Sequence, residues 1–265
     1  MRMEHLSRWR DLIARREADV PLDEAALLIA AHADPDLDVP SQLGRLDDIA
    51  ASLGPADIDA VCVLVFETLG LRGDTRTYDD PQNSYLDKVL DRRLGIPISI
   101  SVLLMEIGRR CDVPLVGVGM PGHFLVRDPA HPELLIDAFS GGKRLDRAAC
   151  AGLLRSVTGA GVDLPDALLA SVGTHTILAR MLANLDHSFR RRGNTEAIRW
   201  VTRLRGAIPG QSLAEHLALA DGLVALGCLE DAAAFLEESA TNPGVSEETA
   251  RTLRGRARGL LARFN

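Results

Sequence analysis

The strongest structural signal lies in three short segments: LGIPISISVLL at residues 94–104, GMPGHFLV at 119–126 and LIDAF at 135–139. The first opens on a proline and continues as an apolar run, which predicts a helix over residues 98–110. Residues 115–118, 124–126 and 134–136 predict short strands, joined by turns rich in glycine and proline. Because these connections are too short for crossover helices, we expect an antiparallel sheet and an α+β fold class.

Helices are predicted on both sides of this sheet. The chain before the sheet has helical patterns, and the apolar run at 60–66 indicates a helix buried nearly all round. In the last third, Gly193 and Gly227 repeat at a period of about 34 residues, which is typical of tetratricopeptide repeats. The alternative is a generic helical bundle in which the glycines have this spacing by chance. We predict two domains, residues 1–171 with the N-terminal helices and the sheet, and residues 172–265 with tetratricopeptide-like helices.

Three polar residues in these segments are candidates for chemistry. Ser99 lies near a predicted helix N-terminus, His123 at a strand start and Asp137 at a strand end. A helix N-terminus favours developing negative charge, an imidazole takes a proton from a nucleophile, and a carboxylate holds the imidazole tautomer. The order matches Cys–His–Asp hydrolases and acyltransferases of the papain–transglutaminase kind. Taken alone, Ser99 is typical of a first-turn serine that bonds to backbone amides, and Asn83 is expected to cap the next helix rather than line the cleft.

Three motifs connect the chain to a known family: DPQNSYL at residues 80–86, RRLGIPIS at 92–99 and GVGMPGHFLV at 117–126. With them the chain resembles the SirB-type transglutaminase-like proteins of bacteria. The resemblance implies a transglutaminase/papain-like core of one central helix against a small antiparallel sheet, followed by tetratricopeptide-like helices. Counted back from Pro114 by the spacing that the resemblance implies, Ser99 stands at the nucleophile position, with His123 and Asp137 as the histidine and aspartate.

The serine at position 99 departs from the cysteine-dependent enzymes that the resemblance implies. Cys111 lies at the far end of the same predicted helix, roughly 18–20 Å away, and cannot replace it. We therefore expect no classical cysteine-dependent activity, but a protein-interaction or regulatory module that binds an unidentified protein or peptide through its C-terminal helical repeat. The alternative is a serine-dependent hydrolase or acyltransferase that uses Ser99, His123 and Asp137.

Composition and charge exclude several other classes. The 265 residues carry a net charge of −7, which argues against a nucleic-acid partner. The arginine cluster at residues 190–192 is expected to form the solvated last turn of a helix, where the helix dipole favours positive charges. The four cysteines are scattered, so neither a metal, a cofactor nor a disulfide framework is expected. No apolar run has membrane length and no secretory signal is visible, which predicts a cytoplasmic protein.

Overall fold

Helices precede and follow a small antiparallel sheet in this protein, whose computed structural model describes residues 2–159 and 164–262. The predicted α+β class, mostly helical with a central helix against the sheet, is confirmed. Within the described ranges the packed elements form two units, one of residues 21–181 and one that joins residues 1–20 to residues 182–265. The predicted domains, residues 1–171 and 172–265, stay a prediction.

Up to the sheet, the described chain forms the helices α1 (Arg2–Ile13), α2 (Leu22–Ala33), α3 (Val39–Ala51), α4 (Ile58–Cys62), α5 (Leu86–Arg92) and the central α6 (Pro97–Arg110). The proline of α6 opens its first turn, where a missing N–H removes no helical hydrogen bond. Most side chains of α6 are buried, because α2, α3, α4, α5 and two strands of the sheet all contact it.

The strands are β1 (Arg72–Gly73), β2 (Leu94–Gly95), β3 (Val116–Val118), β4 (Leu125–Arg127), β5 (Leu135–Asp137), β6 (Lys143–Leu145) and β7 (Ser171–Val172). Among the described residues, β3 to β7 form one antiparallel sheet of spatial order β6-β5-β4-β3-β7, in which β3 to β6 form a meander. The strands β1 and β2 form a separate parallel pair. Along the chain, the helix α7 (Arg147–Thr158) lies between β6 and β7, and α8 (Thr174–Arg191) follows β7.

The apolar run at residues 60–66 forms a less buried helix than its composition predicted. Beyond α4 the chain continues as a π-helical segment, Val63–Thr68. Val61, Leu64 and Val65 take the buried side, whereas Val63 is 47% exposed. The prediction of burial nearly all round was therefore wrong, because only one side of this segment packs on other elements.

The unit of residues 1–20 and 182–265 is helical in its described parts. After α8 come α9 (Thr195–Ala207), α10 (Leu213–Val224), α11 (Leu229–Ser239) and α12 (Glu247–Leu261). The offset along the chain from the start of α9 to that of α11 equals the offset from α10 to α12, and both match the spacing of the two glycines. Gly193 and Gly227 both lie in turns between helices and have positive φ. The indole of Trp9 on α1 donates to the carbonyl of Leu204 on α9, which joins the first helix to this unit.

No helix among the described residues combines the length and the apolar character that a membrane span requires.

Candidate functional site

Ser99 lies in the first turn of α6 and is fully buried. Its Oγ donates a hydrogen bond to the carbonyl oxygen of Asn83 at 2.6 Å and accepts one from the backbone N–H of Ile96 at 3.1 Å. A β-carbon on Gly95 would come within 2.8 Å of this Oγ, so the glycine makes room for the serine. The hydroxyl hydrogen of Ser99 is therefore directed at the backbone of its own chain.

Asn83 is the centre of a buried polar network that sequence analysis did not anticipate. Its side-chain amide donates to Asp74 Oδ2 at 3.2 Å and to the carbonyl of Thr77 at 2.8 Å. Its amide oxygen accepts from Arg92 Nη1 at 3.0 Å. The expected cap on α5 was wrong, because that helix begins after Tyr85 without a side-chain cap. Asn83 instead anchors the loop of residues 74–80.

Asp74 is the buried carboxylate of this network. It accepts hydrogen bonds from the backbone amides of Arg76 and Thr77, from the Thr77 hydroxyl and from Asn83. Burial acts to raise the pKa of Asp74, but the hydrogen bonds of Thr77 and Asn83 outweigh it and lower the pKa to about 2. The carboxylate is therefore ionised at any physiological pH.

His123 and Asp137 form a hydrogen-bonded pair at the ends of two interior strands of the sheet, β4 and β5. His123 precedes β4, Asp137 ends β5, and the antiparallel pairing of these strands brings the two together. The Nε2 of His123 lies 3.0 Å from Oδ2 of Asp137. Oδ1 of Asp137 accepts from the backbone amides of Phe139 and Ser140, and Oδ2 also accepts from the Ser140 hydroxyl. The carboxylate is fixed from both sides and orients the imidazole.

The electrostatics of this pair favour the ionised aspartate. The hydrogen bond to Asp137 raises the pKa of His123 above its ordinary value, although burial opposes this. Burial acts to raise the pKa of Asp137, but the hydrogen bonds of His123 and Ser140 outweigh it and lower that pKa. With Nε2 turned to the carboxylate, the neutral imidazole keeps its proton on Nε2 and leaves Nδ1 as the acceptor.

Arg180 of α8 braces the turn that carries His123, and sequence analysis missed it. Its Nη2 donates to the carbonyls of Met120 at 3.0 Å and His123 at 2.9 Å. The guanidinium carbon lies 5.4 Å from the centre of the Phe124 ring, a cation–π distance. Burial lowers the pKa of Arg180. Nothing in the local sequence signalled this role, because both partners are far away along the chain.

Aromatic rings connect His123 to the loop that Asn83 holds. The Phe139 ring makes edge contacts with His123, at 6.5 Å between centroids, and with Tyr78, at 5.9 Å. Tyr78 in turn belongs to the loop that Asn83 holds. In the described structure, the hydrogen bonds of Ser99 are to backbone atoms and none is to His123. The assignment of Ser99, His123 and Asp137 as a catalytic set stays a prediction.

The comparisons with known proteins agree with this architecture. A sequence model of the transglutaminase-like superfamily matches residues 23–183, which contain α6, the sheet and all three candidate residues. The chain belongs to the transglutaminase-like, SirB-type family of bacteria.

Relatives of this SirB-type protein occur in several bacteria and in mammals. A UPF0162 protein of Xylella fastidiosa (strain 9a5c) is 37% identical over 222 residues, 77% of each chain. The UPF0162 protein of Pseudomonas aeruginosa is 36% identical over 173 residues, 62% of this chain and 63% of that one. F-box only protein 21 of Homo sapiens is 34% identical over 145 residues, 51% of this chain but 22% of that protein. No solved structure matches significantly.

All four cysteines of this SirB-type protein are free thiols. Cys111 follows α6 at its C-terminal end, is fully buried, and has Sγ 3.8 Å from the carbonyl oxygen of Ala50. Burial raises the pKa of its thiol, which disfavours a thiolate. In the described ranges, no cluster of three or more His, Cys, Asp or Glu side chains has the geometry of a metal site.

Proposed function

We propose that this protein is a transglutaminase-like module without cysteine- or serine-dependent turnover, which acts by binding another protein. The observation that carries the proposal is the Ser99 hydroxyl, fully buried and directed at the carbonyl of Asn83. A nucleophilic serine needs its proton bonded to a general base and its oxygen open to a substrate. Ser99 serves the backbone instead, as a first-turn serine that fixes the start of α6.

The retained His123–Asp137 pair fits a binding role. Asp137 accepts from Phe139, Ser140 and His123, so it holds the ring at the end of the sheet whether or not a nucleophile is present. Because its pKa is raised, the imidazole of His123 offers a partner a cationic N–H donor up to a higher pH than an ordinary histidine does. Tyr78, 45% exposed beside Phe139, adds an aromatic contact of the kind enriched in protein interfaces.

The C-terminal helices support the partner that the proposal requires. Repeated helix pairs present surfaces for polypeptide segments, and the equal offsets among α9 to α12 fit a tetratricopeptide-like array. On α10, Leu213, Leu217 and Val224 share one helix face and are only half-buried. We propose that a protein or peptide covers such apolar positions. A cytoplasmic location is part of this proposal, since all four cysteines are free thiols.

Acyl-transfer kinetics test the proposal against the serine enzyme. Wild type, Ser99→Ala and His123→Ala are incubated with thioester and ester donors, with and without an amine acceptor. We expect the same background rate from all three, because no group on the protein forms an acyl intermediate. A wild-type rate well above background that both substitutions abolish would identify a serine-dependent hydrolase or acyltransferase using Ser99, His123 and Asp137.

A thiol introduced at position 99 tests whether a reagent in solution can reach this position. Ser99→Cys places a thiol at the buried first turn, and an alkylating reagent reports whether that thiol is reachable. We expect labelling of the introduced thiol only after unfolding, as for the buried Cys111. Fast labelling in the native state would mean that the site opens, contrary to the proposal.

Partner binding is tested by photo-crosslinking from the C-terminal helices. A photoreactive amino acid at Leu217 should capture a defined protein, whereas the same group at the exposed Arg155 of α7 should not. Identical capture from both positions would contradict a partner surface on α10.

A further inference from the structure

The side chain of Arg127 leaves its strand on an apolar face of the sheet. It is paired with Leu135 across β4 and β5, and Leu135 is paired with Leu145 across β5 and β6. Residues opposite each other on antiparallel strands point to the same face. Leu135 and Leu145 belong to a buried apolar cluster with Cys150 and Leu154 of α7. The Arg127 side chain therefore starts on the face that α7 covers.

The guanidinium of Arg127 has no partner within the described ranges. Its Nε is shielded from solvent and donates no hydrogen bond, and the ion pairs of the neighbouring turns and strands do not include it. A buried donor left unbonded destabilises the folded state, and a cation beside an apolar cluster adds a desolvation cost. Stability of the fold does not explain an arginine at this position.

A cavity of about 580 Å³ lies beside this arginine. Its volume falls in the range of pockets that bind small molecules. Leu135 and Leu169 are buried, whereas Leu134 is 37% exposed, so an apolar floor opens towards solvent. The cavity is lined by Arg127 together with the apolar residues Pro132, Leu134, Leu135, Leu169 and Ala170.

The other charges around the cavity are already used or oppose a multiply charged anion. Arg147 forms an ion pair with Asp166 at 2.6 Å. Asp146 caps α7 by accepting from a backbone amide of its first turn. Together with Glu133, the lining holds three carboxylates and two guanidiniums. Among the described residues, Arg127 is the lining guanidinium without an ion pair, so it is the group left to attract a negative charge. The surplus of carboxylates repels a phosphate dianion more strongly than a single carboxylate.

We propose that this cavity binds a carboxylate carried on an apolar group, with Arg127 as its ion partner. The planar guanidinium suits a carboxylate, to which it donates two parallel hydrogen bonds. The leucine-lined floor takes the apolar part. Two sources share this chemistry, the C-terminal residue of a polypeptide and a free fatty acid. The site is separate from His123 and Asp137, and it does not depend on the proposed function.

Binding of two acids and their amides to the full-length protein tests the proposal by calorimetry and amide NMR. The polypeptide source is represented by acetyl-Ala-Leu with a free C-terminus, and the fatty acid by octanoate. We expect at least one acid to bind with shifts at β4 and β5, and its amide to bind at least about 10-fold more weakly. The acid that binds more tightly identifies the source. The proposal is overturned if neither acid binds at millimolar concentration, or if amides bind as well as acids.

A matched pair of variants assigns the effect to Arg127. Arg127→Met keeps most of the aliphatic stem and should weaken binding of the acid at least about 10-fold without lowering the melting temperature. Arg155→Met removes the same charge from an exposed position on α7 outside the cavity and should leave binding unchanged. Equal binding by wild type and Arg127→Met would overturn the proposal. The acid-to-amide ratio of wild type needs no variant, so it stays decisive if Arg127→Met does not fold.

Discussion

The Ser99 hydroxyl donates a 2.6 Å hydrogen bond to the carbonyl oxygen of Asn83, and both residues are fully buried. This bond joins two motifs that are connected along the chain by α5, DPQNSYL and RRLGIPIS. Through the side chain of Asn83 it also reaches Asp74 and Arg92. The motif serine is thus part of the scaffold that holds the start of α6.

Ser99→Ala should lower the free energy of unfolding by about 1–2 kcal/mol. The substitution removes the shorter of two hydrogen bonds to the buried carbonyl of Asn83 and leaves the backbone N–H of Ile96, at 3.3 Å, as its donor. Urea denaturation at pH 7 measures the change. A loss below a few tenths of a kcal/mol would show that this contact does not hold the helix start.

Ser101→Ala is the matched control, because Ser101 is equally buried and lies on the same helix. Its Oγ has no hydrogen-bond partner among the described residues. Removing an unbonded buried hydroxyl and introducing a better helix former should raise the free energy of unfolding by about 0.5–1 kcal/mol. Equal destabilisation by both alanine variants would mean that burial, and not the hydrogen bond, sets the effect at Ser99.

Asp74 should make the free energy of unfolding depend on pH in the acid range. Its pKa is about 2 in the folded protein, against an ordinary value of 3.8. Because the folded pKa is the lower one, the contribution is complete above pH 3.8 and is lost as the pH falls towards 2. The linkage is worth about 2 kcal/mol. Denaturation from pH 6 to pH 2 on wild type and Asp74→Asn measures it, and parallel curves for the two proteins would contradict the role of Asp74.

His123 should titrate above its ordinary pKa of 6.5, and Asp137→Asn should lower that pKa. The hydrogen bond to Asp137 favours the charged imidazole, whereas burial disfavours it. Protonated His123 therefore adds stability that is complete below pH 6.5 and is lost as the pH rises through the folded-state value. Proton NMR of the imidazole signals measures both proteins. An unchanged pKa in Asp137→Asn would refute the coupling.

The two repeat-turn glycines should respond alike to substitution. Gly193 and Gly227 have φ of 64° and 75°, in the left-handed region that a β-carbon disfavours. Each single change to alanine should lower stability by about 1 kcal/mol. Gly255→Ala, at an exposed position within α12, should raise stability by about 0.5–1 kcal/mol. A gain in stability at either turn would contradict the equivalence of the two positions.

Local pattern was enough to predict the central elements. Pro97 and the apolar run after it indicated α6, and the short apolar segments between glycine and proline turns indicated β3, β4 and β5. The resemblance placed His123 and Asp137 in one site, and the antiparallel pairing of β4 and β5 brings them together. The regular spacing of Gly193 and Gly227 located two interhelical turns. Each of these signals is written in short motifs or in a simple period along the chain.

The remaining parts of the site depend on contacts between distant residues. Arg180 reaches a turn far earlier in the chain, and Asp74 acquires its low pKa only when Asn83 and Thr77 converge on it. The strands β6 and β7 are too short and too polar to give a period-2 pattern. Asn83 looked like a cap because its neighbours suit a helix start, but its partners lie in the preceding loop and on Arg92.

Peptide mapping of Ser99 after treatment with a fluorophosphonate is the most direct test of the central claim that this serine is structural. The reagent phosphonylates serines that a base activates and that solvent can reach. Native wild type is treated, digested and analysed by mass spectrometry, with His123→Ala as the matched control. We predict an unmodified Ser99 in both proteins. Stoichiometric modification of Ser99 in wild type, lost in His123→Ala, would contradict the account and establish a serine enzyme.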